Sequence, residues 1–380
     1  MGAAYEERDM SKSVSLKELL HDNTVAAAPE LVIAGEDGAL RCLACGHKCH
    51  LPAGRAGVCR VRFNRDGELR VPTGYVAGLQ VDPIEKKPFY HAFPAREALS
   101  FGMLGCDFHC SYCQNWVTSQ ALRDDKAVSF PSFCSPEELA ALAVENRAPV
   151  VVSTYNEPLI TAEWAVEVFK VAKEHGLTCG FVSNGNATPW VLDYLRPFVD
   201  LYKVDLKSFD DRSYRKLGGV LANVLETIGN LKKLDFWVEI VTLIIPGFND
   251  GTDELKQMAD FIADVDVDIP WHVTAFHPDY KMTDPPRTPM DTLIRAFDLG
   301  KAAGLRYVYP GNLPGAVGER ENTYCPACNE LLIRRRGFRV QENLMDGSRC
   351  PGCGANIPGI WEKSAPRQTQ GLGIPRPVSP

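Results

Sequence analysis

The chain has no apolar run approaching the ~20 residues that a membrane-spanning helix needs. Met1 to Ser15 is charged without an apolar core behind it, so neither a membrane helix nor a signal peptide is expected and a cytoplasmic protein is the default. It lacks a glycine-rich phosphate loop, a zinc-protease helix motif and a serine-nucleophile elbow, which removes three common enzyme classes. Excess positive charge is missing too: the net charge of -7 argues against non-specific nucleic-acid binding, although Arg334-Arg335-Arg336 could form a local patch. With 45% hydrophobic and 23% charged residues over 380 positions, the composition suits one large domain with small satellites.

Cysteine, by contrast, is plentiful. Thirteen are present, and eleven fall into three groups: Cys42, Cys45, Cys49 and Cys59; Cys106, Cys110 and Cys113; and Cys325, Cys328, Cys350 and Cys353. Spacings of two or three residues suit a shared metal better than a disulfide framework, so three metal sites are expected, with Cys134 and Cys179 read as small buried hydrophobes. The central C-x3-C-x2-C group is one thiolate short of enclosing a four-iron cube, and an iron left open is a place for chemistry. The alternative there is zinc completed by His109. The C-terminal pair of C-x2-C knuckles predicts a closed, structural zinc-ribbon-like site. For the N-terminal group, with His47 and His50 nearby, structural zinc and an auxiliary iron–sulfur cluster both remain open.

Short apolar runs alternate with helical patterns from about Ala98 to Asn312. The runs are Ala98 to Leu104, Pro149 to Thr154, Thr178 to Ser183, Leu201 to Leu206, Trp237 to Ile245, Trp271 to Phe276 and Leu305 to Tyr309; helices fit Ser135 to Glu145, Ala162 to His175, Asp253 to Ala263 and Met290 to Gly304. This order predicts an α/β protein with a parallel sheet or barrel, whose working residues gather at the carboxyl ends of the strands. Those ends carry Cys106, Tyr155-Asn156-Glu157-Pro158, Ser183-Asn184-Gly185-Asn186, Asp205-Leu206-Lys207, Pro246 to Asp250, and His272 with His277.

The C-x3-C-x2-C segment after the first strand, with Tyr112 before its last cysteine, resembles the signature of radical S-adenosylmethionine (SAM) enzymes. The blocks Asp82-Pro83-Ile84-Glu85-Lys86-Lys87-Pro88, Cys113-Gln114-Asn115-Trp116 and Tyr309-Pro310-Gly311-Asn312 resemble more closely the AmmeMemoRadiSam-system branch, related to pyruvate formate-lyase activating enzymes. The resemblance implies a partial (β/α)6 radical SAM barrel over 96–315. Around it lie an N-terminal extension (1–40), a Cys-rich module (41–95), a zinc-ribbon-like module (316–363) and a flexible tail (364–380). It also implies a [4Fe-4S] cluster on Cys106, Cys110 and Cys113, with SAM on the open iron and contacts from Tyr112, Asn156, Glu157, Asp205, Lys207 and His272. Tyr155-Asn156 stands where the family has two glycines. The expected reaction is reductive cleavage of SAM to a 5'-deoxyadenosyl radical that abstracts hydrogen from a substrate. The expected partners are a low-potential donor such as a flavodoxin or ferredoxin and Memo-like and AMMECR-like proteins or a glycyl radical protein, with no membrane and no nucleic acid. A glycyl-radical-enzyme activase and a non-catalytic zinc-binding adaptor are the alternatives.

Overall fold

The computed structural model describes residues 16–369 and 373–380. Residues 1–15 of the expected extension and 370–372 of the expected tail lie outside the described residues; the short N-terminal helix is Leu16–Asp22.

Valine-rich runs buried on both faces are what a helix-covered parallel sheet requires. Seven parallel strands form the centre of the molecule: β1 Glu97–Gly102, β2 Val150–Ser153, β3 Thr178–Ser183, β4 Leu201–Asp205, β5 Trp237–Ile244, β6 Trp271–Ala275 and β7 Val308–Gly311. Each pairs with the next in sequence order. Beyond β1 the sheet continues antiparallel through Gly78–Pro83 and Arg376–Pro377, making nine strands among the described residues. The last parallel strand begins later than its apolar run suggests, because Leu305 closes the turn after the preceding helix through its N–H to the Gly300 carbonyl at 3.1 Å.

Helices cross between successive strands and carry the sheet's cover. Pro136–Glu145 starts at a capping box in which Ser135 Oγ accepts from Glu138 N–H (3.2 Å) and the Glu138 carboxylate accepts from Ser135 N–H (2.7 Å). Ala162–Glu174 buries Trp164, Ala165, Val168, Phe169 and Ala172, and Phe169 meets Phe101 of β1 edge-on at 6.0 Å. Pro189–Leu195, Asp211–Leu217 and Leu221–Lys233 are helices that periodicity alone did not suggest; the first two are short, and Thr188 and Asp210 cap them. No described helix is long and apolar enough to cross a membrane.

The Cys-rich N-terminal segment forms small antiparallel sheets, one of them Val32–Ala34, Leu40–Cys42 and His50–Leu51. The C-terminal segment forms Thr323–Tyr324, Leu331–Arg336 and Arg339–Asn343. The basic run Arg334 to Arg336 is no patch, because strand alternation sends its members to opposite faces. Arg335 is fully buried, donates to the Tyr90 carbonyl at 2.8 Å and stacks over the Tyr90 ring at 4.3 Å, whereas Arg334 pairs with Glu342 outside.

Candidate active site

The chain leaves β1 at Gly102 and enters the loop of Cys106, Cys110 and Cys113. Gly105 makes the turn at φ +92°, and a Cβ there would come within 3.1 Å of the Cys59 carbonyl, so only glycine allows this approach. The Cys113 Sγ lies 3.1 Å from Ser119 Oγ, and the Cys106 Sγ accepts from Phe108 N–H at 3.4 Å. Two thiolates on one zinc ion, each bonded at about 2.3 Å, stand at most about 4.6 Å apart. Among the described residues only the C-terminal cysteines gather three or more such ligand atoms within 4.8 Å, so the central three are too widely placed for one ion. His109 is exposed and lies against Gly218, away from a ligand position in a zinc site.

A cavity of about 350 Å³ opens beside this loop, with a smaller one of about 90 Å³ beneath it, and Cys110, Cys113, Asp205 and Lys207 line both. Tyr112 and His272 line the larger; Cys106, Asn156 and Glu157 line the smaller. All nine residues expected around the cluster and SAM thus border one continuous region. His277, by contrast, is exposed and meets Gln114 at 3.2 Å and the Asp279 carboxylate at 4.0 Å.

The electrostatics divide the walls. Burial works to raise the Asp205 carboxyl, but Lys203 and Lys207 outweigh it and hold it down at about 2; Lys207 Nζ is 3.0 Å away and Lys203 also bonds it. Glu157 accepts from Ser183 Oγ (2.7 Å), Asn184 N–H (2.7 Å) and Leu159 N–H (3.1 Å), yet burial and the nearby Asp107 charge push it up to about 8. Asp107, fully buried, accepts from the Asn184 and Asn186 amides at 2.7 and 2.8 Å. His272 Nε2–H donates to Glu239 at 2.6 Å, which leaves its other ring nitrogen toward further partners. Burial lowers the His272 pKa against the pull of Glu239.

Tyr155 answers the question raised by its replacement of a glycine. Its φ of +68° keeps the left-handed backbone that glycine favours. Room for the ring comes from other glycines: a Cβ on Gly78 would meet it at 2.9 Å, and one on Gly102 would strike the Thr154 carbonyl at 2.1 Å. The Tyr155 hydroxyl donates to Asp82 at 2.8 Å, and Lys87 Nζ donates to that hydroxyl at 3.1 Å. Lys87, Lys203, Tyr155, Glu85 and Phe338 are cavity residues that sequence reasoning missed as site residues. The Asp82 to Pro88 block was the available signal, since it supplies Glu85 and Lys87.

At the C-terminus, Cys325 and Cys353 sulfurs lie 3.7 Å apart, and those of Cys328 and Cys350 lie 3.6 Å apart. Two repeated knuckles build this cage. Asn329 N–H returns to the Cys325 carbonyl and Gly354 N–H to that of Cys350, both at 2.9 Å, and both residues have positive φ.

Residues 102–262 match the family described as the Radical SAM superfamily. Over 326 residues the chain is 38% identical to a Methanocaldococcus jannaschii protein described as uncharacterized, covering 85% of this chain and 96% of that one. The chain carries a radical SAM superfamily domain. The pyruvate formate-lyase 1-activating enzyme of Escherichia coli K12 is 25% identical over 166 residues, 42% of this chain and 66% of that enzyme. A radical SAM methyltransferase from Sphaerobacter thermophilus superposes with a TM-score of 0.45 at 15% identity, covering 81% of each chain. A radical SAM domain implies SAM and an iron–sulfur cluster, and the open, widely spaced thiols beside a polar cavity fit that pair.

Proposed function

We propose that Cys106, Cys110 and Cys113 hold a [4Fe-4S] cluster and that SAM occupies the adjoining cavity, making this chain a radical SAM enzyme that abstracts hydrogen from a substrate. The observation that carries the reading is the meeting of three thiols, spaced beyond single-ion range, with Asp205, Lys207 and Glu157 on the walls of one region. When bound, the pair would supply one electron to the sulfonium, releasing methionine and a 5'-deoxyadenosyl radical that takes one hydrogen atom from substrate.

The chain's own residues supply binding and orientation. Asp205, held ionised by two lysines, is the fixed anion for a cationic or hydroxylated part of SAM; Lys207 is the fixed cation for its carboxylate. Glu157 and Asn156 line the amine side, and Glu157 is kept in place by Ser183 at the end of β3 and Asn184 just after it. Glu239 sets the orientation of His272, and Tyr112 closes the loop side. The C-terminal quartet has the 3.6 to 3.7 Å sulfur separations that a tetrahedral zinc produces, about 3.8 Å for 2.3 Å bonds. This spacing supports a closed structural zinc there.

Partial similarity to activating enzymes supports a glycyl radical protein as one substrate class, and the AmmeMemoRadiSam resemblance supports action beside Memo-like and AMMECR-like proteins. A flavodoxin or ferredoxin would deliver the electron. Thirteen unpaired cysteines suit a reducing, cytoplasmic compartment. The zinc-adaptor alternative needs all three cysteine groups at single-ion spacing, and one has it. Anaerobically reconstituted protein should release 5'-deoxyadenosine with SAM and dithionite, measured by mass spectrometry; equal release by Cys106→Ala would refute the assignment.

A further inference from the structure

The N-terminal cysteines are drawn together by a hairpin. Cys42 N–H donates to the Cys49 carbonyl at 3.0 Å, next to the Arg41 and His50 pair of the Leu40–Cys42 and His50–Leu51 strands. Alternation puts Cys42 and Cys49 with Leu40 and Leu51 on the buried face and leaves His50 exposed, which removes it as a ligand. Cys45 sits in the connecting turn, closed by Lys48 N–H to the Cys45 carbonyl. Cys59 arrives on a second turn, where Arg60 N–H returns to Gly57, and Gly57 is so close that a Cβ there would sit 3.4 Å from Cys49 Sγ. Four thiols therefore converge, three of them buried.

No three of the four come within 4.8 Å of one another, unlike the C-terminal quartet of the same composition. One zinc ion holds its sulfurs within about 4.6 Å, whereas a four-iron cube interposes iron and sulfide and spreads them. Beside the thiols stands Arg62, 1% exposed; its two terminal nitrogens donate to Glu163 at 2.6 and 2.8 Å, but its Nε–H is buried without a partner. The Arg62 carbonyl accepts from Gly57 N–H at 2.8 Å, the glycine that lies against Cys49 Sγ. A buried, unmatched N–H is destabilising, and sulfide or thiolate sulfur is an acceptor that would match it.

The group abuts the central loop. The Cys59 carbonyl meets Gly105, the residue before Cys106; Gly46, after Cys45, donates to the Asn186 carbonyl at 2.7 Å, and Asn186 holds Asp107. We propose that Cys42, Cys45, Cys49 and Cys59 hold a second [4Fe-4S] cluster, oriented by Arg62 as a positioning residue and seated one backbone contact from the Cys106 loop. Its redox role rests on the radical SAM reading; its existence does not. One electron arrives from a low-potential donor protein of the flavodoxin or ferredoxin class and one leaves toward the Cys106 loop, so the site returns to its oxidised state with no proton or bond changed.

The test uses the full chain with Cys106, Cys110 and Cys113 all replaced by alanine, reconstituted anaerobically with ferrous iron and sulfide. About four irons and four sulfides should remain, with an electron paramagnetic resonance signal after dithionite reduction, against about eight irons in the unaltered chain. Iron-free protein carrying a second zinc would overturn the proposal, whatever the outcome of the 5'-deoxyadenosine assay. In the reduced unaltered chain the two signals should broaden one another; a spectrum equal to the sum of the single-cluster variants, the other being Cys45→Ala/Cys49→Ala, would overturn the placement. Arg62→Gln in the triple-alanine background should keep the irons and shift the midpoint to lower potential, and an unchanged midpoint would remove Arg62 from the site.

Discussion

The C-terminal quartet and the Cys106 loop use the same ligand and build opposite environments. In the quartet each thiol sits on a short knuckle whose backbone hydrogen bonds close on themselves, and the sulfurs are already at the spacing of a single ion. In the loop the thiols hang at the carboxyl end of β1 over a cavity, spaced apart, facing groups contributed by β2, β4 and β6. Local backbone geometry suffices to gather four thiols at single-ion spacing, whereas the cavity beside the Cys106 loop needs strands distant in sequence to supply its walls.

The sharpest break of that contrast is Cys106→Ala. It should abolish 5'-deoxyadenosine formation and remove about four irons while leaving C-terminal metal content unchanged, as read by metal analysis. Cys350→Ala should do the reverse, losing one metal ion and upwards of about 4 kcal/mol of stability in denaturant titration, with iron content kept. Arg335 of the C-terminal segment pairs with Glu85 of the cavity wall at 3.9 Å. Burial, against Arg335, pushes Glu85 up to about 7 from its ordinary 4.5. Because the folded pKa is raised, its stabilising effect is full below 4.5 and is lost as pH rises through 7. Glu85→Gln should therefore flatten stability between those values, a change of order 3 kcal/mol at most, seen in denaturation midpoints at pH 5 and pH 8. Smallest, Tyr155→Phe removes the hydroxyl between Asp82 and Lys87 and should cost about 1–2 kcal/mol in the same titration, with iron content unchanged.

Much of the candidate site was legible because its residues occupy strand ends, and strand ends follow from apolar runs bounded by polar ones. Asn156, Glu157, Asp205 and Lys207 could be named that way, whereas His272 is the second residue of β6 and reaches the cavity from the start of its strand. Glu239 could not: it lies within β5, where its neighbours are apolar, and only the pairing of β5 with β6 brings it against His272. Phe338 was equally hidden, since it reaches the cavity from a hairpin in the C-terminal module. Arg335 looked like surface charge until strand alternation turned it inward. Tyr155 looked like a loss of backbone freedom, but Gly78 and Gly102 supply the space from other strands.

The residues alone determined the three cysteine groups, the strand–helix alternation and the superfamily signature, because ligand type and periodicity are written along the chain. Tertiary structure decided how far apart the sulfurs stand. That distance depends on where hairpins and knuckles place each Cα, and it separates a group already at single-ion spacing from two groups whose thiols stand farther apart.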